Sequence, residues 1–99
     1  MAIALSSFAP TASIAFQATQ AGGNVLLPTT GTPTIAVVTN LGQQAVFVLL
    51  GSSNTVSVTP NGGIAIMPGD NIVLTIGANT YLAAVSLAGV SGLNITVGN

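Results

Sequence analysis

Side chains able to move a proton, hold a metal or neutralise an anion are almost missing from this chain. Its 99 residues include one Asp, Asp70, one Tyr, Tyr81, and no Lys, Arg, His, Cys or Glu. General acid-base catalysis needs a positioned group of one of these types, and a Ser or Thr nucleophile needs a base beside it. Ser and Thr are plentiful, but no His or Lys exists to activate them, so the expectation is a protein that is not an enzyme. Oligomerisation adds only copies of the same groups. A ring of Asp70 carboxylates on a symmetry axis is the sole route to an acidic site.

Asp70 stands in Met67-Pro68-Gly69-Asp70-Asn71, where Pro and Gly set a tight turn and the Asp carboxylate is expected to accept a backbone N–H that closes it. The functional alternative is a calcium ligand. Ca²⁺ takes six to eight oxygens, commonly several of them carboxylates, and here only amides, hydroxyls and carbonyls could assist, so neither a metal nor a cofactor is expected. Pro60-Asn61-Gly62-Gly63 and Ala21-Gly22-Gly23-Asn24 lack the spacing of phosphate-binding loops and the Lys that completes one. Asn61-Gly62 instead reads as a hairpin dipeptide. Tyr81, Phe8, Phe16 and Phe47 are too scattered to form a stacking platform for bases or sugars.

The same absences limit partners. Nucleic-acid binding draws on counterion release by basic side chains, so nucleic acid is not an expected partner, and the polybasic route to an anionic membrane closes likewise. Continuous apolar runs such as Ala45-Val46-Phe47-Val48-Leu49-Leu50 fall far short of the roughly 18 to 20 residues of a spanning helix, so no membrane association is expected. The first residues imitate a signal peptide faintly but lack its basic start. With no Cys, the fold has no disulfides to rely on. Hydrophobic residues make up 49% of the chain, too many for intrinsic disorder.

The elements that must position these residues read as strands throughout. Gly, Pro and Asn clusters recur every eight to twelve residues or so, the spacing of an all-β sandwich or barrel. Between them lie Val-, Ile- and Thr-rich segments suited to a pleated surface. Strands are expected at 13–19, 24–27, 34–40, 44–50, 55–59, 63–67, 71–76, 80–86 and 93–97. The expected fold is all-β, a compact two-sheet β-sandwich, jelly-roll-like, of about eight short strands with an extended N-terminal segment. Residues 1–30 form an N-terminal arm or first strands, and residues 31–99 the β-sandwich domain.

Two of these strands are apolar on both faces. In 34–40, Ile35 and Val37 oppose Ala36 and Val38; in 44–50, Ala45, Phe47 and Leu49 oppose Val46, Val48 and Leu50. A sandwich sheet buries one face only, so the surplus is expected to meet another chain. Edge strands are normally blunted by charge, which this chain cannot supply. Phe8, Ile14 and Phe16, in the arm-like segment, are the interface candidates.

The second half of the chain then resembles a known group. The run Ala36-Val37-Val38-Thr39-Asn40-Leu41-Gly42 leads to Ala45-Val46-Phe47-Val48 and Gly51. Ile66-Met67-Pro68-Gly69 follows, and Thr80-Tyr81-Leu82-Ala83-Ala84-Val85-Ser86 leads to Leu93-Asn94-Ile95-Thr96-Val97-Gly98. This order of strands and turns, over residues 34 to 98, resembles small virion proteins of tailed bacteriophages, among them capsid decoration (cement) proteins. The resemblance implies a non-enzymatic structural protein on the capsid exterior, partnered with the major capsid protein and with itself as a homotrimer. Alternatives are a phage tail or fibre component and a self-assembling extracellular filament subunit. An ice-binding or glycan-binding module is a further class. Thr29, Thr30, Thr32 and Thr34 lack the regular repeat that the first needs, and the aromatics and carboxylates that serve the second are scarce.

Overall fold

A computed structural model describes residues 8–99. The segments between breakers fold into eight strands: β1 (Pro10–Ala18), β2 (Gly23–Leu26), β3 (Ile35–Asn40), β4 (Val46–Gly51), β5 (Ile64–Ile66), β6 (Asn71–Thr75), β7 (Tyr81–Ser86) and β8 (Ser91–Gly98). Among the described residues no helix is long and apolar enough to cross a membrane. The strands form two four-stranded sheets, β1-β8-β3-β6 and β2-β7-β4-β5, and every pairing is antiparallel. β1 pairs with β8, β2 with β7, β3 with β6 and β4 with β5, so the chain behaves as one long hairpin folded over on itself into two sheets. That order is a jelly roll, and the expected all-β sandwich is the fold observed.

Alternation explains which side chains meet between the sheets. Ala36 and Val38 of β3, Leu93, Ile95 and Val97 of β8, Val46 and Val48 of β4, and Leu82 and Ala84 of β7 form the buried core with Ile66, Leu27 and Ile76. Ala12, Ile14 and Phe16 of β1 and Ile72 and Leu74 of β6 pack against it from the flanks, partly buried. Residues 10–26 therefore contribute the outer strand of each sheet, β1 to one and β2 to the other. The stretch Pro28-Thr29-Thr30-Gly31-Thr32-Pro33 carries the chain from one sheet to the other, with Gly31 against Thr11 in a left-handed turn that a Cβ would obstruct. Residues 1–7, which include the signal-like start and the beginning of the proposed arm, lie outside the described residues.

One expected strand is not a strand. Residues 55–59 keep the period-2 pattern, with Val56 and Val58 half-buried and Ser57 and Thr59 exposed, yet they pair with no neighbour in either sheet. Instead the β4–β5 connection runs as a strap over the outer face of the β2-β7-β4-β5 sheet. Val56 rests on Gly51, and the Asn24 side chain, projecting outward from β2, donates to the Asn54 and Val56 carbonyls at 2.8 and 3.1 Å. Asn24 faces Ala83 in register and Gly51 faces Tyr81, so the strap crosses β7 between them. The β1–β2 turn brings Gly22 against Val85. Phe47, Ala83 and Val85 are buried although they point away from the inter-sheet core. On this sheet, then, part of the apolar face that the sequence pattern assigns to another chain is covered from within, while Leu49 of β4 stays 43% exposed.

Candidate functional site

In this topology the β1–β2, β3–β4, β5–β6 and β7–β8 connections gather at one end of the sandwich. Main-chain hydrogen bonds lace them together. Leu41 N–H donates to Gly92 O at 2.9 Å, Leu87 N–H to Ala45 O at 2.9 Å, and Ser86 N–H to Thr19 O at 3.0 Å. Gly69 N–H reaches Asn40 O and Asn40 N–H reaches Asp70 O, both at 2.9 Å.

Asn40 is the hub of this end. It closes β3 and is fully buried. Its Nδ2 donates to the carbonyls of Gln44 and Ile66 at 2.6 and 2.9 Å, and its Oδ1 accepts from Gly42 N–H at 3.0 Å and Ser91 Oγ at 2.7 Å. Both donors and both lone pairs of the amide are used, so burial leaves no unpaired polar group, the condition for burying an amide cheaply. Gly42 must be glycine because any Cβ there would collide with Ser91. One side chain thus fixes the β3–β4 loop to β5 and to the start of β8. From the sequence, Asn40-Leu41-Gly42 is legible only as a turn; its partners at 44, 66 and 91 come together through the fold.

On this braced framework the loops expose large apolar side chains. Leu41 is 69% exposed, Val90 58%, Leu87 51% and Met67 47%, and Pro68 and Ala88 are exposed beside them. Exposed apolar side chains gathered on neighbouring loops mark interaction sites more often than scattered single residues do. Asp70, the only charged side chain, is exposed in the same group of loops. Its turn follows the pattern of Pro at the second position and a positive-φ glycine at the third, with Gly69 at φ 81°. The closure differs from the one expected: Asp70 donates its own main-chain N–H to Met67 O at 3.0 Å. Among the described residues no donor reaches its carboxylate, and no group of three His, Cys, Asp or Glu side chains that could hold a metal ion occurs.

The opposite end is built differently. Leu27, Pro28, Pro33, Ile76, Asn79 and Thr80 line an open depression of about 360 Å³. The Asn79 amide there is committed to Ile76 O at 2.9 Å, and the walls hold no ionisable side chain. The chemistry on offer is apolar contact and neutral hydrogen bonding.

The interface candidates divide. Ile14 and Phe16 share the inward face of β1, packed at the flank of the core, with the Phe16 ring tip against Gly23. Phe8 lies ahead of β1, half-buried. Beside it Ala9 and Asn99 exchange two main-chain hydrogen bonds at 2.6 and 3.0 Å, which extend the β1·β8 pairing past the strand. The Asn61-Gly62 pair sits in a turn closed by Gly62 N–H to Thr59 O at 2.8 Å, with Asn61 at φ 68°. It belongs to the strap, not to a two-residue hairpin. No protein-family model, no curated protein and no solved structure matches this chain.

Proposed function

We propose that this chain is a non-enzymatic virion structural protein, a decoration protein that stabilises a tailed-phage capsid by bridging neighbouring major capsid protein subunits from outside. The observation that carries the reading is the braced apolar end. Leu41, Met67, Leu87 and Val90 are held exposed on loops locked by Asn40, in a molecule with a single charge. A recognition surface built this way depends on apolar burial and neutral hydrogen bonds rather than on ion pairs. The resemblance of residues 34–98 to small phage virion proteins supports the same class and favours it over a filament subunit.

Magnitudes shape the mechanism. Burying an apolar patch of about 400 Å² contributes on the order of 10 kcal/mol. That gain is comparable to the roughly 4–15 kcal/mol cost of association. A single end would hold a shell weakly, so self-association, with several ends engaging at once, supplies the retention through avidity. The test is copurification with icosahedral particles at a fixed ratio to the shell protein, followed by a salt wash. Retention through a high-NaCl wash is the expected result, because no ion pairs are available to screen. Release by moderate NaCl, or long fibres of the purified protein with no particle binding, overturns the reading.

A further inference from the structure

We infer that the outer edge of β1 is a self-complementary interface on which a second copy of this chain docks, β1 against β1, about a two-fold axis through Ala15. The inference stands independently of the capsid reading. In an antiparallel sheet, consecutive residues direct their main-chain groups alternately to one neighbour and the other. Leu41 N–H to Gly92 O commits the even-numbered residues of β8 to β3, which leaves Leu93, Ile95 and Val97 bonded toward β1. Their register partners are Phe16, Ile14 and Ala12. The N–H and C=O groups of Ser13, Ala15 and Gln17 therefore point away from the sheet. Among the described residues no strand pairs with them.

This edge differs from the other three. β1 has nine residues, against five in β6, four in β2 and three in β5. The irregularity between Pro10 and Ala12 ends the regular ladder, leaving Ala12 to Ala18 without proline, glycine or charge. Sheet edges usually carry such features to resist pairing, and their absence here leaves a template.

The sequence of the edge selects the occupant. The midpoint of the regular stretch is Ala15, one of the outward-bonding residues. An axis there sets Ala15 against its own copy and Ser13 against Gln17 of the second copy. Each of these pairs exchanges two main-chain hydrogen bonds. The small Ala15 lets the strands close at the axis, and the exposed Ser13 and Gln17 side chains meet as neutral hydrogen-bonding partners on the outer face. On the inner face Ile14 lies opposite Phe16 of the second copy. Both are only partly buried in the single chain, so the pairing extends the inter-sheet core across the axis. With no like charges to repel one another, the homotypic contact is unopposed.

Sedimentation velocity of the full chain over a concentration series tests this, with three variants. The wild type is expected to form a concentration-dependent dimer. Ala15→Lys, which sets two ammonium groups together at the axis on an exposed face, is expected to sediment as a monomer with unchanged circular dichroism. Independently of that variant's folding, Ala15→Cys is expected to form a disulfide-linked dimer under mild oxidation, because facing residues lie within disulfide reach. Ser13→Cys is expected not to do so, because its own copy lies two register pairs away on each side of the axis. A monomeric wild type, a trimer that Ala15→Lys leaves intact, or equal cross-linking of the two cysteine variants overturns the proposal.

Discussion

The outer faces of the two sheets begin from similar sequences and end differently. On β4 and β7, Phe47, Ala83 and Val85 are buried, with the strap resting on Gly51 and the β1–β2 turn on Val85, and Leu49 alone of the outward aliphatics there is 43% exposed. On the other sheet, Ile35 and Val37 of β3 stay half-buried, and Val73 of β6 is 56% exposed. Polar residues stand among them in register, Ile35 facing Thr75, Val37 facing Thr96 as well as Val73, and Thr39 facing Asn94. Local composition separates the two cases. The covered face offers Gly51 and Ala83, small enough for Val56 and the strap backbone to settle on. The open face mixes Thr, Asn and Ser among its aliphatics and can remain in water.

Substitutions can break or sharpen this contrast. The largest effect is expected from Phe47→Ala, which removes a buried ring from the covered face and should lower unfolding stability by about 3–5 kcal/mol in urea titrations. A loss below about 1 kcal/mol would mean that the face is not sealed. Asn40→Ala strands Gly42 N–H and the Ile66 carbonyl in a buried setting and should cost about 2–4 kcal/mol. Amide exchange should then quicken at Leu41 and Gly69, the loops that Asn40 joins.

Gly51→Val drives a branched side chain into Val56. A cost of about 1–3 kcal/mol is expected, with faster proteolysis between residues 52 and 63. Full stability here would show that the strap does not bear on the sheet. Asn24→Ala removes two side-chain anchors from the strap and should cost about 1–2 kcal/mol, read as exchange at Val56 with little change at Ile95. The smallest effect belongs to the open face: Val73→Thr should shift stability by no more than about 0.5 kcal/mol. A larger loss in the isolated chain would show that this face is covered after all.

Much of the fold was legible because strands are encoded locally. Alternation and the turn residues place β3, β6 and β7 within about a residue of their observed bounds. They also place Met67-Pro68-Gly69-Asp70 in a turn, whose geometry needs only Pro at one position and a positive-φ glycine at the next. The strap was misread for a related reason. Val56 and Val58 alternate with Ser57 and Thr59 whether the segment pairs with a strand or lies across a sheet, since period two reports one-sided burial and not hydrogen-bonding partners. The apolar end was hidden more deeply. Leu41, Met67, Leu87 and Val90 belong to separate turns, and nothing in the spacing of single exposed residues says that their loops are neighbours.

By itself the sequence determined that a single side chain, Asp70, carries charge at neutral pH, the all-β character and the positions of most strands, because each depends on residue type or on neighbours a few positions away. Only the tertiary structure decided which outward apolar residues are covered from within, that Asn40 joins residues 42, 44, 66 and 91, and that no strand among the described residues pairs with the outer edge of β1. Those outcomes depend on which strands lie side by side, and pairing between segments as distant as β1 and β8 is fixed by the packing of the whole sandwich.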